Sequence, residues 1–258
     1  MKATQIILDK EKVIFFLSDL HLGIPNPAES LKREKETVDF FLKNRQRIQE
    51  IFLLGDIFDF WFEYKKVVPK GFVRLFGTLA QLSDEGINIH YFKGNHDFGI
   101  DNYFEKELGV NMYSGNHIFD INGKIFFVGH GDGYGKGGYF YKILKKMFNS
   151  QFCQKIFASI HPRIGLGLAN YFSGKSRNKN ECNKTRHCVS NEMLEMQVLL
   201  DYSKKILEKN PEIDYFIFGH YHTPVEIKLN DKTTYFNIGD WLKHRNCIIF
   251  DGKNAGQE

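Results

Sequence analysis

The stretch Val13-Ile14-Phe15-Phe16-Leu17-Ser18-Asp19-Leu20-His21-Leu22-Gly23 decides the fold. Five apolar residues in a row, rich in Phe and β-branched side chains, read as a strand buried on both faces, which needs a packed layer on each side. The run stops at Ser18, and Asp19 and His21 follow two residues apart. On an extended segment such residues point the same way, so both can face one ion. The arrangement recurs. Ile51–Leu54 runs into Gly55-Asp56, and Ile87–Phe92 into Gly94-Asn95-His96-Asp97. Lys124–Val128 runs into Gly129-His130-Gly131-Asp132, and Tyr215–Phe218 into Gly219-His220-Tyr221-His222. Further strands are expected over Thr233–Asn237 and Asn246–Phe250. Helical spacing of apolar residues marks Glu34–Ile48 and Phe72–Leu82, and a later helix runs from about Asn191 to Lys209. Strands alternating with helices, then strands in quicker succession, predict an α/β sandwich.

Composition narrows the class. Among 258 residues, 42% are hydrophobic and 26% charged, which excludes disordered and collagen-like chains. No apolar run approaches the ~18 residues of a membrane helix. The first twelve residues lack the basic-then-apolar layout of a signal peptide, so a cytoplasmic location is expected. Cys153, Cys182, Cys188 and Cys247 show no C-x-x-C spacing and read as reduced thiols.

Charge is unevenly spread. Between Tyr134 and Ser190 there are 11 Lys and Arg against Glu181 alone, so this stretch carries +10; with a total of +4, the remainder carries −6. Such segregation suits a basic segment that meets an anionic partner, and equally a solvated basic surface. Within it Phe140, Ile143, Leu144, Met147, Phe148, Phe152, Ile156 and Ile160 follow helical spacing with lysines interspersed, and Pro162 should end or kink that helix. Ile164–Phe172 is a second apolar piece, followed by the basic loop Ser173–Asn180. The expected organisation is therefore a core of residues 1–133 and 210–258, with a basic, amphipathic helical insertion over 134–209.

In open α/β sheets, ligands gather outside the carboxyl ends of strands, so the five strand-end loops are expected to converge on one edge. Their side chains are carboxylate, imidazole and amide, without thiolate. Seven such groups exceed the needs of one ion and suit two divalent metals, with manganese favoured by oxygen ligation and iron or zinc by imidazole. Two ions a few ångström apart can clamp the attacking and leaving oxygens of an in-line phosphoryl displacement.

These loops resemble the calcineurin-like metallophosphoesterase pattern D-x-H, G-D, G-N-H-D, H and G-H-x-H, over the whole chain apart from the insertion. The resemblance implies a four-layer αββα sandwich of two mixed sheets with a helical lid. It implies that Asp19, His21, Asp56 and His222 hold one metal, and that Asp56 bridges to a second held by Asn95, His130 and His220. It also implies that His96, not itself a ligand, is catalytic and lies beside the substrate phosphate with Asn95. An imidazole there can protonate a leaving oxygen or stabilise charge on the phosphoryl group. Asp97 either orients His96 or caps the next helix.

Within the superfamily, Phe16–Gly23, Leu54-Gly55-Asp56-Ile57-Phe58-Asp59-Phe60-Trp61, Lys93–Phe98 and a helical insertion after His130-Gly131-Asp132 resemble the UDP-2,3-diacylglucosamine diphosphatases of lipid A biosynthesis. That resemblance implies a peripheral enzyme on the inner surface of a membrane, typically with manganese, cleaving a lipid-linked nucleotide sugar to UMP and lipid X. No nucleic-acid partner is expected, because the insertion's aromatics sit at helical spacing among aliphatics rather than placed for base stacking. One departure stands out: this chain has His96 where that family usually has Arg. UMP leaves as a phosphate with a second pKa of about 6, so it scarcely needs a proton donor; His96 suits that substrate and also poorer leaving groups. The alternative is a broader phosphodiesterase, phosphatase or nuclease with the same metals. Asp59, Phe60 and Trp61 are expected mainly to pack, and His244 to reach at most the site edge. The insertion reads either as a stabilising cap or as a lid that offers an acyl-chain channel and cations, with Tyr139, Lys175 and Arg177 as candidate substrate contacts.

Overall fold

A computed structural model describes residues 3–97, 99–134, 156–162, 164, 165, 167 and 187–258, the side chains of 187–192 and 195 excepted. Tyr139, Lys175 and Arg177 lie outside the described residues, as does most of the helix expected from Phe140.

One six-stranded sheet has the order β12 (Ala255–Gln257), β11 (Ile248–Phe250), β2 (Val13–Leu17), β3 (Ile48–Leu53), β4 (Asn88–Phe92) and β5 (Asn111–Tyr113). Strands β2 to β5 run parallel, and β11 is antiparallel to both neighbours. The second sheet has the order β1 (Thr4–Ile6), β6 (His117–Ile121), β7 (Lys124–Gly129), β8 (Ile213–Phe218), β10 (Thr234–Asn237) and β9 (Val225–Lys228). Here β7, β8 and β10 are mutually parallel, while β6 and β9 pair antiparallel to their inner neighbours. Both sheets are mixed.

Alternation along the strands builds the layers. Ile14 and Phe16 of β2 join Phe52, Phe92, Phe119, Phe126 and Ile217 in the core between the sheets. Phe15 and Leu17 point the other way, onto Phe41 of α1 (Pro27–Asn44), Leu75, Leu79 and Leu82 of α2 (Val73–Asp84), and Phe104 of α3 (Tyr103–Leu108). On the far face of the second sheet, Phe127, Phe216 and Phe218 pack on Leu199 and Leu200 of α4 (His187–Lys209). The result is the expected αββα sandwich. Each fully buried Phe contributes roughly 2–3 kcal/mol of burial.

Element ends differ from the expectation in instructive ways. Helix α1 starts at Pro27, where the Asn26 side chain accepts the Glu29 N–H at 3.0 Å and proline takes the first turn. That turn, Pro27-Ala28-Glu29-Ser30, carries no large apolar side chain, so no apolar stripe announces it. The helix ends at Asn44, and Ile48 belongs to β3 instead. Strands β1, β5, β6, β9 and β12 are short additions that the apolar runs did not signal. Helical backbone over 156–159 breaks before Pro162, as expected.

Candidate dinuclear metal centre

Because β2, β3 and β4 run parallel in one sheet, and β7 and β8 in the other, their carboxyl ends meet at one edge of the sandwich. Backbone hydrogen bonds fasten the loops there. Asp19 N–H donates to Gly55 O at 3.1 Å, His21 N–H to Asp56 O at 3.0 Å, and Gly219 N–H to His130 O at 2.9 Å. Asn237, at the end of β10, donates its amide to the carbonyls of Tyr221 and Thr223, which holds the H-x-H loop.

The turns are strained where the chemistry sits. Asp19, His21, Asp56 and His220 have φ of 53°, 43°, 52° and 69°, in the left-handed region that side chains rarely occupy. Packing overrides that cost. Arg33 of α1, only 3% exposed, donates to the carbonyls of Leu20 and His21 at 2.7 Å and of Ile24 at 2.6 Å, bracing the D-x-H turn from behind. Gly94 and Gly219 allow close approach: a Cβ on Gly94 would strike Asp56 Oδ1, and one on Gly219 would strike Ser18 Oγ.

Two clusters result, each drawing on both sheets. In the first, Asp19 Oδ1 lies 3.6 Å from His21 Nε2 and 3.6 Å from His222 Nε2, and the two nitrogens are 3.2 Å apart. A point equidistant from all three is about 2 Å from each, the bond length of divalent ions to N and O ligands. Asp19 Oδ1 is buried without a hydrogen-bond partner, as an atom reserved for an ion would be. In the second, one ligand atom each from Asp56, His130 and His220 lies within 4.8 Å of the others. Asp56 Oδ2 is 3.4 Å from His130 Nε2, which is 3.2 Å from Asn95 Oδ1. His130 Nδ1–H donates to Leu54 O at 2.6 Å, leaving Nε2 as the inward donor atom. These residues fit two divalent ions.

The electrostatics agree. Burial works to raise the Asp19 carboxyl, but the facing His21 and His222 imidazoles and the charge of His130 hold it well below the usual range. Asp56 is likewise held low against its burial by His130 and His96. Burial and the neighbouring His130 push His220 down to about 4, so its lone pair is available at neutral pH. His222 is desolvated too, yet the Asp19 carboxylate beside it brings it up to about 9.

His96 sits at the rim, its Nδ1–H donating to Asp59 O at 2.7 Å and its Nε2 4.0 Å from Asp56 Oδ2. Burial disfavours its charged form, but Asp56 and Asp59 outweigh that and keep it above its ordinary value. Asp97 does neither of the two jobs expected of it. Its carboxylate accepts from Gly94 N–H at 2.6 Å, Tyr91 O–H at 2.6 Å and Ile57 N–H at 3.0 Å, so it ties the G-D loop to the G-N-H-D loop. Helix α3 begins after Asn102, whose N–H and that of Tyr103 are taken by Glu63 instead.

Two acids that the sequence did not single out, Asp59 and Asp240, belong here, while a third, Glu34, serves the neighbouring helix α2. Trp61 packs as expected, against Phe58, Phe76 and Phe104, but Asp59 faces the site, with Oδ1 3.9 Å from His96 Nδ1. Glu34 accepts the N–H groups of Arg74 and Leu75 and so caps α2. Asp240 holds His244 at 3.1 Å and lies 3.5 Å from His222. Its signal was visible: Ile238-Gly239-Asp240 repeats the strand-Gly-Asp form of Leu54-Gly55-Asp56. His90 is a core residue, stacked on Phe52 and paired with Glu50 at 2.7 Å.

Residues 12–224 match the sequence profile of the calcineurin-like phosphoesterases, and the chain belongs to that family of two-metal enzymes. It is a metal-dependent hydrolase. The chain is 36% identical over 246 residues to the UDP-2,3-diacylglucosamine hydrolase of Porphyromonas gingivalis (strain ATCC BAA-308 / W83), an alignment that covers 93% of this chain and 94% of the relative. The UDP-2,3-diacylglucosamine hydrolase of Histophilus somni (strain 129Pt) is 25% identical over 233 residues, 89% of this chain and 92% of its own.

Proposed function

We propose that this chain cleaves the diphosphate of UDP-2,3-diacylglucosamine to UMP and 2,3-diacylglucosamine 1-phosphate (lipid X), in lipid A biosynthesis. The observation that carries the reading is the end-to-end likeness to the Porphyromonas gingivalis enzyme, which extends well beyond the metal-type loops. Asp19, His21, Asp56 and His222 hold one divalent ion, and Asp56, Asn95, His130 and His220 the other, with manganese in both. Bound there, the pair supplies a nucleophile at neutral pH and neutralises phosphoryl oxygens.

The chain's own residues do the rest. Asn95 and His96 flank the reacting phosphate. The Asp59 carbonyl fixes the His96 ring with Nε2 inward, and the carboxylates around it favour the imidazolium. That cation stabilises charge on the phosphoryl oxygens. For UMP, a leaving group that needs little protonation, charge stabilisation is sufficient. Asp97 keeps the loop that carries both residues in register with Asp56.

The basic part of the insertion 134–209, ahead of the helix α4 that packs on the second sheet, acts as a lid, with Tyr139, Lys175 and Arg177 as substrate contacts, and attaches the enzyme peripherally to the cytoplasmic face of the inner membrane. No helix among the described residues is long and apolar enough to cross a bilayer. The test is turnover of UDP-2,3-diacylglucosamine beside bis-(p-nitrophenyl) phosphate and single-stranded DNA, with manganese restored to metal-stripped protein. Strong preference for the lipid substrate is expected. Comparable rates on all three would reject the substrate and leave a broad phosphodiesterase.

A further inference from the structure

An imidazole offers an ion one nitrogen only if the other carries the proton, so its outer hydrogen bond decides which way the lone pair faces. For His130 that partner is the Leu54 carbonyl. His222 is different: its Nδ1 faces a carboxylate, Asp240 Oδ2, at 3.5 Å. Asp240 is fully buried, and its Oδ2 has no hydrogen-bond partner of its own. The other oxygen, Oδ1, is committed to the turn after β10. It accepts from Lys243 N–H at 2.8 Å, from His244 N–H at 3.2 Å and from His244 Nδ1 at 3.1 Å. The next residue, Trp241, donates its N–H to Asp19 O at 3.2 Å, which ties this turn to the opposite wall of the same cluster.

A buried, half-satisfied carboxylate is costly to keep unless it has a task. Turn capping accounts for Oδ1 and leaves Oδ2 over. From this division we infer that Asp240 is a positioning residue for the first metal cluster: Oδ2 receives the His222 Nδ1–H, which turns Nε2 toward Asp19 Oδ1 and His21 Nε2. His244, 44% exposed at its side chain and bound to the other oxygen, keeps the carboxylate from rotating away. The inference rests on the two-ion reading of the site. Its reach is confined to one cluster, because nothing links Asp240 to His130, Asn95 or His220 among the described contacts.

The variant Asp240→Asn separates the two tasks. Its amide oxygen still caps Lys243 and His244, while an NH2 in place of Oδ2 cannot accept from His222. Metal-stripped wild type and Asp240→Asn are titrated with Mn2+, with affinities read by electron paramagnetic resonance, and the melting temperature of each metal-free protein is recorded. Wild type should bind two ions. In the variant one ion should bind roughly 10- to 100-fold more weakly, the cost typical of losing such a partner, with the other ion and the metal-free melting temperature unchanged. Two ions bound as tightly as in wild type would overturn the inference. So would equal weakening of both with a fall in melting temperature, which would make Asp240 a fold residue only. If wild type itself fails to bind two ions, the reading of the centre fails, and the Asp240 inference falls with it.

Discussion

His130 and Asp56 end strands of different sheets, yet His130 Nε2 lies 3.4 Å from Asp56 Oδ2 while its Nδ1–H donates to Leu54 O two residues before that aspartate. Asp19 and His222 repeat the relationship across the same seam at 3.6 Å. Each cluster is therefore complete only when the two sheets are closed on their shared core of Phe16, Phe52, Phe119 and Phe126. Ions that bind there bind the folded state alone, which couples metal affinity to stability.

Removing metal should accordingly lower the melting temperature. An ion at about 100 times its dissociation constant adds about 2.7 kcal/mol per site, worth roughly 5–10 °C for a chain of this size. Calorimetry of chelator-treated protein with and without manganese checks this, and superimposable transitions would contradict it.

His96→Ala should leave ion binding intact and cut turnover of the true substrate by roughly 10²- to 10⁴-fold, the usual span for a positioned proton donor or charge stabiliser. Steady-state kinetics at saturating manganese decide the point. Activity within a few-fold of wild type would remove His96 from the mechanism.

The left-handed turn at Asp19 and His21 depends on the guanidinium of Arg33, which reaches three carbonyls that no other side chain among the described contacts serves. Arg33→Met should cost about 3 kcal/mol in urea unfolding, since buried acceptors are left unpaired. Arg33→Lys should recover only part, because an ammonium cannot reproduce the planar fork. A loss under about 1 kcal/mol in the Met variant would show that the turn holds without it.

Cys247, 1% exposed, supplies a pH prediction away from the metal ligands. Burial, assisted by the charge of Glu258 and opposed by Arg47, pushes its thiol up to about 12. In the unfolded chain the thiol ionises near ~8.5. The native state therefore withholds the thiolate, and this group favours unfolding progressively as pH rises above that unfolded value. Iodoacetamide at pH 8.5 with peptide mass spectrometry should find Cys247 unlabelled in native protein and labelled in urea. Rapid native labelling would contradict the assignment.

The candidate centre was largely legible because its carboxylate, imidazole and amide side chains sit directly after apolar runs, where glycines such as Gly94 and Gly219 signal close backbone approach. Asp19, His21, Asp56, Asn95, His130, His220 and His222 all arrive at one edge. What stayed hidden depends on partners far away in the chain. Arg33 looks like a surface helix residue until its helix is placed against the Leu20–Ile24 turn, and Asp97 looks like a helix cap until Tyr91 and Ile57 are seen to claim its oxygens. Asp59 was obscured by its aromatic neighbours, since Trp61 and Phe58 do pack. Short strands such as β5 and β12 are three residues each, too brief for periodicity to register.

The central claim, that five loops from two sheets fold around a pair of divalent ions, is tested most directly by anomalous diffraction at the manganese edge from crystals grown with Mn2+. Two peaks about 3.5–4 Å apart are expected, one among Asp19, His21 and His222, the other among Asn95, His130 and His220, with Asp56 between them. A single peak, or ions bound away from these side chains, would contradict it.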